Sequence, residues 1–225
     1  MNFNKVFEYL LSVPKSIYVS FRLFPFRQAV HIPIFVRYNT KLLCLKGNVY
    51  LQLKRVKTGS IRIGFGNVGI FDKTYERSIL QLAGKLTFQG IAFFGSGSRI
   101  YVGHQGEVIF GDHFINTARM TICCENRMSF GHQVLVSWNT SIVDTDFHRT
   151  INPATGEIKD KYGVTTIGDH VWIGMGVTIL KNSTIPNGCI LGAGSLVNKR
   201  FITEHCLIAG NPAKVVKEGV TMSEE

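Results

Sequence analysis

The most regular pattern of hydrophobic and polar positions lies in residues 167–202, where an aliphatic residue recurs at every sixth position. The series is Ile167, Ile173, Ile179, Ile185, Leu191 and Val197. A period of six matches neither an α-helix, at about 3.6 residues per turn, nor an alternating strand, at about two. It is typical of a β-helix, in which three short strands form the sides of a triangular prism and one coil takes roughly eighteen residues.

A second inward position in each six holds a compact residue, as expected where a corner leaves little room. These residues are Val171, Val177, Ser183, Cys189 and Ser195. Stacked coils form parallel strands about 4.8 Å apart, so each coil satisfies the backbone groups of its neighbours. A parallel α/β sheet is disfavoured, because its crossovers need about a dozen residues and none fits between the sixes.

A looser form of the same repeat precedes this stretch. Leu82, Phe88, Phe94 and Ile100 step by six, and the phrases VIFGDH (108–113), MSFGHQ (128–133) and TTIGDH (165–170) recur. The first two phrases are spaced slightly more widely than an ideal coil, which predicts small bulges at corners. We therefore predict an all-β fold over residues 61–218.

The first sixty residues follow a different pattern and are predicted to form a cap. Apolar residues from Phe3 to Leu11 have helical spacing, and Pro14 suggests the helix end. Aromatic and basic residues alternate over 16–38. Either this region lies on a membrane as an interfacial helix, or its aromatics cover the open end of the β-helix; we favour the cap, because an open end would expose the core and a strand edge. Residues 219–225 are assigned as a tail.

Charge is concentrated in the same region. The chain carries a formal net charge of +10. Residues 1–60 hold ten Lys and Arg against Glu8 alone, or 10 − 1 = +9, which leaves +1 for the remainder. A basic head suggests an anionic partner, such as lipid head groups or nucleotide diphosphates, although solvated charge without a partner explains it equally well. We expect no nucleic-acid partner.

The cysteines and the N-terminal composition predict a cytoplasmic protein. Five cysteines without a C-x-x-C pair indicate a reduced compartment and no zinc ribbon. Lys5, Glu8 and Lys15 interrupt the apolar residues of the first twenty positions, so neither a signal peptide nor a spanning helix is expected.

The candidate chemistry lies where the repeat is interrupted, at residues 137–150 and the polar segment that follows to Tyr162. An insertion into a rigid repeat is predicted to protrude as a loop, here 149–164, and such loops often carry function. If residues 144–148 are extended, Asp144, Asp146 and His148 point to one side. A histidine beside carboxylates is a candidate general base.

Several motifs together resemble the hexapeptide-repeat acetyltransferases, which form a left-handed β-helix. They are DTDFH (144–148), VWIG (171–174), GAGS (192–195) and AGNPAKVV (209–216), in addition to the sixes. The resemblance covers roughly residues 85–218 and is closest to the sugar O- and N-acetyltransferases of the maltose/galactoside and xenobiotic type. It implies an acetyl-CoA donor, a free or lipid-linked sugar acceptor, a role in surface polysaccharide biosynthesis, and a homotrimer with the donor groove between subunits.

The resemblance also implies roles for individual residues. His148 would remove the acceptor proton, and a backbone N–H near Gly174 or Met175 would meet the oxyanion, without an acyl-enzyme. Asp144 and Asp146 would orient the imidazole or hold a sugar hydroxyl, unless they only form corners. Acceptor contacts would come from Asn116, Trp138 and Asn139. Donor contacts would come from Trp172, Gly174, Met175, Ala193, Gly194, Asn198, Lys199, Lys214 and Lys217.

Three alternatives remain at this point. A γ-class carbonic anhydrase would need a zinc site shared between subunits, for which His104, His113 and His132 are the candidates, although we expect no metal. A lipid A-type acyltransferase would take its acyl chain from acyl carrier protein. A β-helix used only as a scaffold would need neither His148 nor the loop.

Overall fold

The computed structural model describes residues 3–66 and 68–223, with side chains from residue 6 onward. Two helices come first, α1 (Phe3–Leu23) and α2 (Phe26–Ala29). Three sheets of nine, seven and six strands follow within the described ranges, and we call them faces A, B and C. Face A contains β1 (Ile34–Val36), β4 (Ile61–Phe65), β7 (Ala92–Ser96), β10 (Phe114–Ala118), β13 (Leu135–Val136), β18 (Trp172–Ile173), β21 (Ile190–Leu191), β23 (Cys206–Gly210) and β24 (Ala213–Glu218).

The other two faces alternate with face A along the chain. Face B contains β2 (Lys41–Leu45), β5 (Ile79–Leu82), β8 (Arg99–Val102), β11 (Thr121–Cys124), β14 (Ser141–Val143), β19 (Thr178–Ile179) and β22 (Leu196–Val197). Face C contains β3 (Asn48–Leu51), β6 (Lys85–Phe88), β9 (Glu107–Phe110), β12 (Arg127–Phe130), β17 (Val164–Ile167) and β20 (Thr184–Ile185). We name each corner by the two faces it joins.

Strands pair with the equivalent strand of the next coil and not with their neighbour in sequence. On face A, Ile173 lies opposite both Val136 and Leu191 in parallel ladders, and on face C, Phe110 lies between Phe88 and Phe130. This pairing generates a three-sided coil. The recurring phrases of the sequence correspond to β9, β12 and β17, which stack directly on one another.

The interior contains the residues that the period of six selects. All six aliphatic residues of residues 167–202 are at most 1% exposed, and so are the five compact corner residues. Earlier coils are filled by a stack of fully buried phenylalanines whose ring centroids lie 4.6–6.2 Å apart: Phe88, Phe94, Phe110, Phe114 and Phe130. The sequence prediction of a β-helix core is therefore confirmed.

Helix α1 covers the open edge of β1 through serines spaced four residues apart. The Ser16 hydroxyl accepts from Val36 N–H at 3.0 Å, and the Ser12 hydroxyl accepts from Tyr38 N–H at 3.0 Å. The Ser20 hydroxyl donates to the Ile34 carbonyl at 3.4 Å. Four helical residues rise about 6 Å and two strand residues about 6.6 Å, so the helix matches alternate residues of the strand. Backbone groups left unpaired by the first strand are satisfied in this way.

This arrangement corrects two sequence expectations. Helix α1 does not end at Pro14 but continues to Leu23, because its serine contacts lie on both sides of the proline and Pro14 itself faces outward. The coils begin at Ile34 and not at residue 61, since β1 pairs with β4 in register. The period of six is less regular in the first coil, so the sequence did not reveal where the coils begin.

The aromatic residues of the cap divide between two environments. Tyr9 stacks on Phe35 and Phe65 at centroid distances of 5.7 and 5.0 Å, while Phe7 and Phe26 are exposed. The opposite end of face A is closed by β24, which folds back antiparallel on β23. Within the described residues, no helix is long and apolar enough to cross a membrane.

Candidate active site

The insertion at the B–C corner forms a protruding hairpin. Most coils cross this corner in a few residues, such as 125–126 between β11 and β12. Here the chain leaves at Val143 and returns at Val164, and β15 (Thr150–Ile151) pairs antiparallel with β16 (Ile158–Lys159) between them. A bridge between Thr145 and Tyr162 closes the base.

His148 lies at the base of this hairpin with an exposed side chain. Its backbone N–H donates to the Asp146 carbonyl at 2.7 Å, and its imidazole makes no hydrogen bond in the described part of the chain. The segment is not extended, because Phe147 adopts φ 59° and turns the chain. Asp144 is buried while Asp146 and His148 are exposed, so the prediction that all three share one side is wrong.

Asp144 closes a turn of the preceding coil. Its carboxylate accepts hydrogen bonds from the backbone N–H groups of Glu125 at 2.8 Å and Asn126 at 2.9 Å, and from the Cys124 thiol at 3.1 Å. Burial, and then the charge of Asp144, raise the pKa of Cys124, so the thiol remains a protonated donor. With its oxygens engaged inside the prism, Asp144 neither orients the imidazole nor holds a sugar; it forms the corner.

Replacing Asp144 therefore tests a structural role. We expect Asp144→Ala to lower the free energy of unfolding by about 3 kcal/mol, because two buried N–H groups lose their acceptor at about 1–3 kcal/mol each. Asp144→Asn keeps one acceptor oxygen, so its free energy of unfolding should fall by less. Urea unfolding measures both variants. Full stability combined with lost turnover in Asp144→Ala would return this residue to the catalytic machinery.

Asp146 holds the hairpin base to the following coil. Its carboxylate pairs with the Lys181 ammonium at 2.7 Å, and Lys181 also donates to the Asp160 carbonyl on the returning strand of the insertion. Asp146 therefore contacts a lysine and not the imidazole of His148. The predicted orienting role has no supporting contact.

Asn116 points into the core and does not face an acceptor. It is fully buried on β10, where its amide oxygen accepts from the Ser98 hydroxyl at 2.8 Å. Its amide nitrogen donates to the carbonyls of Ala118 and Val136 at 3.3 and 3.2 Å. All of these partners belong to the same or adjacent coils, so the prediction of an acceptor contact is wrong.

The A–B corner brings together most of the remaining predicted residues. Trp138 and Asn139 lie on one coil, Gly174 and Met175 on the next, and Ala193 and Gly194 on the third. The Gly176 N–H donates to the Trp138 carbonyl at 3.0 Å, and the Gly194 N–H donates to the Met175 carbonyl at 2.9 Å. Trp172, half-exposed on face A, donates its indole N–H to the Ser137 hydroxyl at 3.3 Å.

Only one of the two predicted oxyanion donors is available. The Gly174 N–H donates to the Leu191 carbonyl at 2.9 Å as part of the coil. The Met175 N–H makes no hydrogen bond within the described residues, and the Met175 side chain is 48% exposed. Of the pair, Met175 therefore remains the candidate.

The remaining predicted donor residues lie elsewhere. Asn198 and Lys199 are exposed at the B–C corner, with the Lys199 ammonium 5.2 Å from the centre of the Phe201 ring. Lys214 and Lys217 are exposed on β24, opposite Ala209 and Leu207. The residues predicted to contact the donor are thus divided between two corners and one face of a single chain.

Face B separates His148 from the A–B corner. Five residues, 140–144, connect Asn139 to the hairpin, and an extended strand of that length spans roughly 16 Å. One copy of the chain therefore cannot place its own A–B corner against its own His148.

Sequence reasoning missed a polar cluster beside the hairpin. Tyr101 donates its hydroxyl to the Glu125 carboxylate, and this hydrogen bond is the main cause that raises the pKa of Tyr101 to about 12. Cys123 lies next to Tyr101 in the ladder, and burial, then the charge of Asp144, raise its pKa to about 11. The Cys123 thiol is therefore protonated at neutral pH and is not a nucleophilic thiolate.

The histidines of the carbonic anhydrase alternative do not converge within one chain. His104 lies at the B–C corner, whereas His113 and His132 lie at the C–A corner. His132 Nδ1 accepts from the Asp112 N–H at 2.9 Å, which occupies one potential ligand atom. The described ranges contain no group of three or more His, Cys, Asp or Glu side chains placed to hold a metal ion.

Comparisons with known proteins agree with this architecture. The family model for the bacterial transferase hexapeptide (six repeats) matches residues 165–199. The Escherichia coli K12 protein named "Putative lipopolysaccharide biosynthesis O-acetyl transferase WbbJ" is 28% identical over 132 residues, covering 55% of this chain and 67% of that protein. The solved polySia specific acetyltransferase NeuO shares the fold, with a TM-score of 0.53 and 19% identity over 86% of this chain and 90% of that one.

The chain is therefore similar to the hexapeptide-repeat acetyltransferases. The structural match confirms the predicted fold class, a left-handed parallel β-helix, and the relatives named as acetyltransferases confirm the predicted enzyme class, an acyltransferase. A Klebsiella pneumoniae relative, "Uncharacterized 24.8 kDa protein in cps region", is 29% identical over 232 residues, covering 98% of this chain and 99% of that protein. Similarity to proteins named as acetyltransferases disfavours the scaffold and carbonic anhydrase alternatives.

Proposed function

We propose that the protein transfers an acetyl group from acetyl-CoA to a hydroxyl or amine of a sugar during surface polysaccharide biosynthesis in the cytoplasm. The match to a protein named for lipopolysaccharide O-acetyl transfer supports the substrate class. All five cysteines are free thiols, which agrees with a reducing compartment.

The observation that carries the proposal is the placement of His148, exposed at the base of the longest insertion in the described coils, with an imidazole that makes no hydrogen bond there. The neutral imidazole accepts the proton of the acceptor hydroxyl or amine as that group attacks the thioester carbonyl carbon. The carbon–sulfur bond then breaks, and the imidazolium returns the proton to the departing thiolate. The products are the acetylated sugar and the coenzyme A thiol, without an acyl-enzyme.

A backbone donor stabilises the negative charge that develops on the carbonyl oxygen. The unpaired Met175 N–H is held in place by the coil, because the Met175 carbonyl accepts from Gly194. One such preorganised donor contributes about 3 kcal/mol to stabilisation of the transition state.

The separation of the two corners supports a homotrimer. The A–B corner carries Met175, Ala193 and Gly194, while the B–C corner carries His148. A cyclic assembly brings the A–B corner of one copy against the B–C corner of the next and repeats the contact three times. The donor thioester then lies between two subunits, and the phosphates of coenzyme A lie near exposed Lys199, Lys214 or Lys217.

Fewer residues are available to contact the acceptor than the sequence suggested. Asn116 is committed inside the core, which leaves Trp138 and Asn139 at the same corner as the donor residues. The acceptor approaches His148 from the hairpin side, where Tyr101 and Glu125 present a polar surface.

Release of the coenzyme A thiol from acetyl-CoA tests this proposal. The full chain is incubated with nucleotide sugars, simple glycosides and lipid-linked sugars, and the products are analysed for ester or amide acetylation. We expect acceptor-dependent thiol release with at least one class. Acyl transfer only from acyl carrier protein, or no transfer to any sugar, would contradict the proposal.

A further inference from the structure

The outward side of the N-terminal helices forms an apolar surface, which we call the capped-end surface. Its members are large hydrophobic residues of α1, α2 and the adjacent β2, with 40–72% of each side chain exposed: Phe7, Leu10, Leu11, Ile17, Tyr18, Phe21, Phe26, Val30 and Leu43. Isolated exposed hydrophobic residues are common on protein surfaces, but a contiguous group of this size usually marks an interaction site.

The polarity of α1 is reversed relative to an ordinary surface helix. Its buried side carries Ser12, Ser16, Val19 and Ser20, which pack on the first strand. Its exposed side carries the apolar stripe, spaced three and four residues apart. The stripe packs on the rest of the cap only in part, as in the edge contact between the Phe21 and Phe26 rings, and its residues remain 40–63% exposed. An ordinary surface helix buries its apolar stripe, so the packing of the cap does not account for this helix sequence.

The capped end of the molecule carries many more cations than anions. Among residues 6–60, whose side chains are described, the exposed lysines and arginines are Arg22, Arg27, Lys41, Lys46, Lys54, Arg55 and Lys57. Glu8 is the single carboxylate among residues 6–60, and it pairs with Arg37 and Lys73. One groove shows the combination directly, because Tyr18 and Leu43 line it together with Arg22 and Lys46.

We propose that the capped-end surface binds the surface of an anionic lipid bilayer. An apolar stripe enters the boundary between head groups and acyl chains, while cations beside it contact anionic head groups. Charge complementarity favours this occupant over a second copy of the chain, whose equivalent surface carries the same positive charge.

The position of the surface leaves the candidate active site accessible. From β2 to β14 on face B there are four ladder steps, or about 19 Å at 4.8 Å per step. The hairpin with His148 follows β14, so it stands well above a bilayer that contacts α1. This spacing would suit a lipid-linked acceptor, a consequence that rests on the proposed function, whereas bilayer binding itself does not.

Vesicle cosedimentation of the full chain tests the proposal. The vesicles are phosphatidylcholine alone and an equimolar mixture with phosphatidylglycerol. We expect binding to the mixed vesicles that weakens as salt rises. Arg22→Glu with Lys46→Glu should lower the partition coefficient by at least about 25-fold, since each cation near the surface contributes about fivefold. Leu10→Ser with Phe21→Ser should lower it by at least about tenfold.

A matched control pair changes the same residue types away from the capped end. Arg200→Glu with Ile202→Ser alters an exposed cation and an exposed aliphatic residue near the opposite end of the prism, and vesicle binding should remain unchanged. The proposal is overturned if the wild-type chain does not bind the mixed vesicles, or if the control pair loses as much vesicle binding as the test pairs. It is also overturned if either test pair binds as the wild type does. A changed oligomeric state in sedimentation velocity, with vesicle binding retained, would instead make this surface a contact between copies and would also overturn it.

Failure here is distinguishable from failure of the proposed function. The charge-reversed pair should release thiol from acetyl-CoA with a water-soluble acceptor at the wild-type rate. His148→Ala should bind vesicles as the wild type does, whatever its effect on turnover.

Discussion

His148→Ala is expected to lower kcat/KM for acetyl transfer by about 10²–10⁴-fold, the usual contribution of a positioned general base. Without the imidazole, the acceptor must attack the thioester while losing its proton to water. Because the side chain is exposed and makes no hydrogen bond within the described residues, the free energy of unfolding should change by no more than about 0.5 kcal/mol.

The control is His104→Ala, which removes an exposed imidazole from the same B–C corner two coils earlier. It should leave thiol release unchanged. Thermal unfolding and sedimentation velocity establish that both variants keep the fold and the assembly. Undiminished turnover in His148→Ala would remove this residue from the mechanism, and equal losses in both variants would point to a general effect of the corner.

Phe110→Ala should produce the largest loss of stability, about 4 kcal/mol. The ring is fully buried, and its centroid lies 5.4, 5.1, 4.6 and 4.9 Å from those of Phe88, Phe94, Phe114 and Phe130. Truncation creates a cavity in the middle of the stack and removes four aromatic contacts. Phe110→Leu fills part of this cavity, so its free energy of unfolding should fall by less.

Urea unfolding measures the loss, with Phe26→Ala as the control because Phe26 is 72% exposed. Each coil contacts only its neighbours, so hydrogen exchange should rise most in β6, β9 and β12 and least near β22. Equal stabilities of Phe110→Ala and Phe26→Ala would contradict the assignment of this stack as the centre of the core.

The candidate site shows where local patterns stop being sufficient. Alternation along the chain placed Asp144 beside His148, but the partners of Asp144 lie 18–20 residues earlier and are visible only once coils are stacked. Asn116 was misassigned for the same reason, because its partners Ser98 and Val136 belong to adjacent coils. His148, Trp138, Asn139 and the donor residues stay predictions.

The N-terminal region shows a second kind of limit. Helical spacing identified α1, but Pro14 was expected to end the helix, as a proline tends to do in an isolated helix. In the structure, Ser12 on one side of Pro14 contacts Tyr38 and Ser16 on the other side contacts β1, and these contacts hold the helix in place. The first coil starts at Ile34 without a clear period of six, so only its pairing with β4 reveals it.

The sequence by itself determined the coil, the inward residues and the position of the hairpin, because a repeat of six buries the same positions in every coil whatever lies far away in the chain. Tertiary structure alone decided which polar groups are committed inside the prism and which remain free, since a hydrogen bond between coils joins residues about twenty positions apart. It also showed that His148 and the A–B corner lie on opposite sides of face B, a separation that depends on the width of the prism and not on any local pattern.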